Sequence, residues 1–373
     1  MKDKGTFTRA AFVGVSREAK ETGGTTARAE KRLQDGHGLD PLVDPSGGGI
    51  HGPIRFSLPR LVETERGWQL VMGPPMVVED LLDTTGSMGG NVDLAFYALP
   101  DLYEMLTKVL TRYDLQIINA IFGDRSDQII LCRSQAEMAE KIAVQLTMMT
   151  PERAGRDEPE DPEYGLFGAA YLTKARIQEW GLKSYHFMLT DAPGRGQVTK
   201  DNLSRVFGKE VLEKVGENGH QLGSHLPTTK EIVADLSTRA HAFLLQVGDE
   251  SSTSRFWTPV YGKDQVIKLP DMKFLPQVQA AVIGLTEGTL TLKGLKEFLI
   301  KTGGMRDSNA DNIVRAVSHI PVGAQTLLPN FNKIPEKGSM FKTKTSLWPI
   351  GHELGDDPSE DLEGKTEKPP TWL

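Results

Sequence analysis

The chain has 373 residues, 38% of them hydrophobic and 25% charged, the balance of a soluble globular protein that buries a core. A formal net charge of −7 argues against a general nucleic-acid binder, and Cys132, the single cysteine, excludes an internal disulfide and points to a reducing cytoplasm. No apolar run reaches the roughly 18 residues of a membrane-spanning helix, and the opening Met1-Lys2-Asp3-Lys4 lacks the apolar segment of a secretory signal.

Residues 1–53 are rich in Gly, Thr and charge and close on Pro45-Ser46-Gly47-Gly48-Gly49, which predicts an extended or partly disordered arm with a basic first half. Residues 54–58 alternate like a strand, and 68–72 are expected to pair with them, so that 54–75 forms a hairpin leading into a sheet. A buried strand follows at 77–82. The helix expected at 92–112 repeats Leu94, Ala98, Leu102, Met105, Leu106 and Val109 at helical spacing. Strands at 115–122 and 128–132 are expected to pair. A helix at 135–148 carries Met138, Ile142, Leu146 and Met149 on one stripe, which reads as core filling.

Further helices at 166–178, at 202–215 and from 232 alternate with strands at 185–189 and 243–247. This alternation predicts an α/β fold, a doubly wound and mostly parallel sheet with helices on both faces, spanning 76–284. Residues 285–350 read as a helical and irregular extension, with short helices at 290–302 and 309–320 joined by Gly303-Gly304. An acidic tail occupies 351–373.

The turn Asp83-Thr84-Thr85-Gly86-Ser87-Met88 lies at the end of the first buried strand and offers one carboxylate and two hydroxyls at alternate positions. Oxygen-only donors suit a hard divalent cation such as Mg²⁺, with Mn²⁺ or Ca²⁺ also accommodated, and suit zinc or copper poorly. A second acidic turn, Leu189-Thr190-Asp191-Ala192-Pro193-Gly194, ends a later strand of the same expected sheet. In open parallel sheets, sites form beyond the carboxyl ends of the strands, where both turns fall. Taken singly, each turn also reads as ordinary loop and N-cap chemistry.

Asp83-x-Thr85-x-Ser87 resembles the metal-ion-dependent adhesion site of von Willebrand factor A (VWA) domains, with Thr85 where that family usually has serine. Residues 117–124, ending Phe122-Gly123-Asp124, resemble the family's second strand. Leu189-Thr190-Asp191 resembles the later aspartate loop, and 243–248 the fifth strand. Leu269-Pro270-Asp271 is similar to its last strand-to-helix passage. The resemblance covers 76–284 and implies a Rossmann-like VWA fold of the intracellular bacterial or phage type.

The resemblance also implies a metal set of Asp83, Thr85, Ser87, Asp161 and Asp191. Asp161 is matched by position to a third loop, before the helix at 166–178, where the family usually supplies threonine; Glu160 competes for that place. The implied role is a cytoplasmic metal-dependent protein-binding module, an adaptor or scaffold, whose Mg²⁺ accepts an Asp or Glu carboxylate from a partner protein. Such binding breaks no bond. Two other roles stay open: a self-assembling structural subunit with a degenerate metal site, and a metal-dependent hydrolase. The contrast of basic arm and acidic tail allows a homo-oligomer joined through the termini.

Other motifs fail on spacing. Asp307-Ser308-Asn309-Ala310-Asp311 begins like a calcium loop but has Asn312 where glycine is needed and Ser318 where glutamate is needed. His220 and His225 lack companion ligands, and neither a phosphate-binding loop nor a nucleophile elbow occurs.

Overall fold

The computed structural model describes residues 26–47, 52–152 and 159–344. Its strands are β1 (Arg55–Phe56), β2 (Leu61–Thr64), β3 (Gly67–Leu70), β4 (Pro75–Asp83), β5 (Asp114–Phe122), β6 (Leu131–Arg133), β7 (Thr173–Lys174), β8 (Ser184–Thr190), β9 (Ala240–Gln246), β10 (Val266–Lys268) and β11 (Met340–Phe341). The helices are α1 (Ala27–Gln34), α2 (Asn91–Val109), α3 (Glu140–Leu146), α4 (Glu163–Tyr171), α5 (Lys200–Phe207), α6 (Val211–Glu217), α7 (Thr229–Arg239), α8 (Ser251–Tyr261), α9 (Leu275–Thr286), α10 (Leu292–Lys301) and α11 (Asp307–Val317).

Six strands form the central sheet in the order β10-β9-β8-β4-β5-β6. Only β6 runs antiparallel there, against β5. The inner strands β4 and β5 are buried along their whole length, as parallel strands covered on both faces must be. One face packs against α2, α9, α10 and α11 through residues such as Leu102, Leu106, Val278, Leu295 and Ile313. The other packs against α4, α7 and α8 through Phe167, Ile232 and Trp257. The sheet is therefore doubly wound, α/β and mostly parallel, as the alternation of strand and helix patterns predicts.

One charge inside β4 is paired rather than solvated. Glu79 takes Arg133 Nε at 2.8 Å and Nη2 at 3.1 Å, with the Thr173 hydroxyl at 2.9 Å. Its neighbour Asp80 accepts from Gln279 of α9 at 2.6 Å, tying that helix to the sheet.

Several elements differ from the sequence reading. Residues 54–58 do not pair with 68–72. Instead β1 pairs in parallel with β7, while β3 pairs with β2 and β11. The cause is Arg55, whose buried guanidinium donates to the carbonyls of Asp44, Arg133 and Ser134 and so holds β1 against the main body. Period-two alternation marks a strand but does not name its partner. The helix expected at 166–178 begins earlier, at Glu163, and stops at Tyr171, because Thr173 and Lys174 are drawn into pairing with β1. The helix expected at 135–148 shortens to Glu140–Leu146, since Glu137 bridges to Ile117 along the edge of β5.

Within the expected arm, α1 forms and Val43 is fully buried, while residues 1–25 and 48–51 lie outside the described residues. So does the acidic tail at 351–373. Among the described residues no helix is long and apolar enough to cross a membrane.

Candidate metal centre

β4 and β8 are hydrogen-bonded neighbours with Leu82 opposite Leu189, so the residues that follow, Asp83 and Thr190, meet at the carboxyl end of the sheet. Thr190 Oγ1 donates to Asp83 Oδ2 at 2.6 Å. The other carboxylate oxygen, Oδ1, accepts from the Thr85 backbone N–H at 2.9 Å and from Thr85 Oγ1 at 2.6 Å. Thr85 Oγ1 lies 3.2 Å from Ser87 Oγ, which in turn donates to Asp191 Oδ1 at 2.8 Å. The result is a continuous run of oxygens from two loops: Thr190, Asp83, Thr85, Ser87, Asp191.

Burial is graded along this run. Asp83 and Thr85 are fully buried, Asp191 is half-buried and Ser87 is exposed. The site thus has a dry floor and an open rim. A 3₁₀ turn, Gly86–Met88, carries Ser87 to Thr85 and Asp191, and Gly89, at φ 51°, releases the chain into α2. On the other side, α8 fixes the second loop. Trp257 Nε1 donates to Ala192 O at 2.9 Å and Thr253 Oγ1 donates to the carbonyl of Asp191.

Electrostatics follow from the burial. Desolvation pushes the Asp83 carboxyl up to about 7, against the pull of the Thr190 and Thr85 donors, and the charge of Asp191 adds to the rise. Asp191 is also raised, chiefly by burial, with Ser87 opposing and Glu250 reinforcing. All the hydrogen bonds Asp83 receives come from neutral groups.

Asp161 does not join this run. It is fully buried, and both of its oxygens are taken by guanidinium groups: Arg125 Nε at 2.9 and 3.1 Å, Arg125 Nη2 at 2.5 Å, and Arg195 Nε at 3.0 Å. Matching by loop position cannot sense that arginine clamp, because Arg125 and Arg195 arrive from other loops. The competitor, Glu160, lies against Thr85, Asp83 and Asp124 instead. Its backbone N–H donates to Pro193 O at 3.0 Å, which stitches its loop to that of Asp191.

Two residues at this end of the sheet carry no role in the sequence reading. Thr190 stood in the quoted motif without a role, yet it orients Asp83. Asp124 lies two residues beyond β5, the strand beside β4, so the rule that places Asp83 and Asp191 at strand ends also reaches it. Among the described residues, no group of three or more His, Cys, Asp or Glu side chains is arranged to hold a metal. A cation held by Asp83 and Asp191 would therefore lean on the hydroxyls and on water, which hard divalent ions accept.

No protein-family model matches the sequence, and no curated protein does. Among solved structures, the chain is similar to proximal thread matrix protein 1 from the mussel byssus, in a form with a zinc-occupied MIDAS motif: 14% identity, TM-score 0.36, covering 61% of this chain and 47% of that one. The chain thus spans about half the length of the mussel protein. It is similar to the pilus adhesin SpaC from Lactobacillus rhamnosus GG at 11% identity and TM-score 0.39, covering 64% of this chain and 34% of that one. It is also similar to the SpRpn10 VWA domain, at 12% identity and TM-score 0.35, covering 55% of this chain and 94% of that domain.

Proposed function

We propose that the chain is a VWA-type protein-binding module of the cytoplasm, an adaptor or scaffold that engages an acidic side chain of a partner through Mg²⁺ at the ends of β4 and β8. One observation carries this reading: hydroxyls and carboxylates from two loops about a hundred residues apart in sequence form one hydrogen-bonded run with a buried floor and an exposed rim. The donor set fits the ion, being all oxygen, and the buried Asp83 carboxyl has only neutral donors around it.

Thr85 and Ser87 would offer hydroxyl oxygens, while Asp83 and Asp191 balance charge and orient the remaining ligands. Thr190 holds Asp83 in register, a supporting contact of the kind that tunes a metal as strongly as direct ligands. When bound, the cation supplies an electron-poor position open to an outside carboxylate; Mn²⁺ or Ca²⁺ would serve similarly. Few direct anionic ligands at that position leave it able to attract one more. In this reading the segment 76–284 forms the module, and the terminal segments provide contacts between copies.

Calorimetric titration of the whole chain with Mg²⁺ and Mn²⁺, beside Asp83→Ala, tests the reading. Saturable binding is expected for the wild type and none at this site for the variant. Equal heats in both would sink the metal site, and binding of an Asp- or Glu-bearing partner that survives chelation would sink the carboxylate bridge.

A further inference from the structure

A cavity of about 460 Å³ lies between α1, the loop that follows it and the end of α3, and shares no residue with the run of oxygens at Asp83. Its volume falls within the roughly 300–1,000 Å³ of small-molecule sites. Ala29 of α1, Val144 of α3 and Met148 just beyond α3 supply an apolar part of the lining. Val144 is 38% exposed, so that apolar surface is not covered by other side chains. Arg28 and Arg32, one turn apart on the same side of α1, supply a basic part. His37 joins them because its backbone N–H donates to Arg32 O at 3.1 Å, which folds the loop back over the end of α1.

The acids of the lining are occupied elsewhere. Asp35 Oδ2 is paired with Lys31 Nζ at 3.0 Å, and Asp40 Oδ1 accepts the Leu42 backbone N–H at 3.0 Å. Arg32 is left without a carboxylate among the described residues. Its Nη2 reaches only the His37 carbonyl, at 3.4 Å, and its Nε is buried with no hydrogen-bond partner. Arg28 is exposed and forms no ion pair among the described residues either. A guanidinium keeps its charge at any physiological pH, and an N–H withdrawn from water without an acceptor is costly. The group that answers both is an anionic acceptor, and the planar fork of arginine matches a carboxylate or a phosphate. The apolar surface beside it suits a ligand whose remainder is hydrocarbon.

We propose that this cavity binds a small amphiphilic anion, with its carboxylate or phosphate head at Arg28 and Arg32 and its apolar body against Ala29, Val144 and Met148. A fatty carboxylate and an alkyl phosphate share that chemistry. The alternative occupant is water, which would satisfy Arg32 Nε but leave both guanidinium charges and the apolar lining unmatched. The residues involved are not those of the proposed metal centre, so either reading can fail alone.

Octanoate and octyl phosphate are the probes, with octanol as the uncharged comparison. Each is titrated calorimetrically into the full chain with a chelator present, so that no carboxylate or phosphate binds through a metal ion. One saturable site per chain is expected for at least one of the two anions, and the tighter of them identifies the head. Arg32→Gln should weaken anion binding by about tenfold, the worth of one charge-assisted hydrogen bond, and leave octanol binding as it was. Arg28→Gln, at an exposed position, should act in the same direction, which guards against a folding defect in Arg32→Gln; circular dichroism checks both variants. Absence of saturable binding by either anion would overturn the proposal in favour of a water-filled cavity. Anion affinity unchanged in both arginine variants, or octanol binding as tightly as the anions, would overturn it as well.

Discussion

Ser87 Oγ reaches Asp191 Oδ1 at 2.8 Å, closing a contact between residues 104 positions apart in the chain. Because Ser87 is exposed, this bond adds little to the stability of the fold; surface changes of this kind usually stay within about 0.5 kcal/mol. Ser87→Ala is therefore expected to unfold near the wild-type temperature without metal, and to lose the stabilisation that Mg²⁺ confers. A ligand at a hundredfold excess over its Kd stabilises a folded protein by about 2.7 kcal/mol. Thermal unfolding with and without saturating Mg²⁺ measures the difference, and an equal metal-induced shift in both proteins would count against Ser87 as a ligand.

Thr190 lies behind that contact. Its hydroxyl is fully buried, donates to Asp83 Oδ2 at 2.6 Å and accepts the Ala192 backbone N–H at 3.1 Å. Thr190→Val keeps the shape and removes both bonds, leaving two buried polar groups without partners. The cost is expected to be about 2 kcal/mol or somewhat more, read from urea unfolding, with weaker Mg²⁺ binding as a second effect. A neutral result on both measures would remove Thr190 from the site.

The sheet was legible because its signal is local. Nine apolar-rich residues in β4 and nine in β5, with a helical stripe between them, leave few other readings. That Asp83, Ser87 and Asp191 fall at one end of the sheet is legible because Asp83 closes a strand and the other two follow one by a residue or a short turn. What sequence could not show is which charges meet across loops. The turn of Asp161 toward guanidinium groups depends on Arg125 and Arg195, and the placement of β1 depends on Arg55 finding carbonyls at 44, 133 and 134. Guanidinium groups on long flexible stems choose partners in three dimensions, and no periodicity records the choice.

Glu287 offers a pH signature away from the candidate centre. It accepts from Tyr185 Oη at 2.7 Å and from Tyr113 Oη at 3.0 Å, and burial pushes its carboxyl up to about 7. The folded state then keeps a proton between about 4.5 and 7 that the unfolded chain has already released. Stability is full below that window and falls as pH rises through it, by an amount of order 3 kcal/mol for this one group. Glu287→Gln should flatten that share of the slope in urea unfolding measured from pH 4 to pH 8, while slopes due to other buried acids remain. Identical pH profiles for variant and wild type would show that Glu287 does not titrate in this window.

Gly194 ties the Asp191 loop to the core by having no side chain. A Cβ there would stand 2.6 Å from Glu163 Oε1 and 3.0 Å from two ring carbons of Trp257. Neither neighbour can give way cheaply. Glu163 Oε1 already accepts from Gly196 N–H at 2.8 Å and Thr229 Oγ1 at 3.1 Å, and Trp257 is held through its bond to Ala192 O. Gly194→Ala is expected to cost about 1–3 kcal/mol through overpacking and to weaken Mg²⁺ binding, because relief of the clash moves the loop that carries Asp191. Gly196→Ala is the control. That glycine has φ 89° with open space around it, so its variant bears only a backbone strain of about 1–2 kcal/mol and presses on neither Glu163 nor Trp257. Equal losses of metal affinity in the two variants would mean that general strain in the loop, and not the packing of Gly194 against Glu163 and Trp257, sets the position of Asp191.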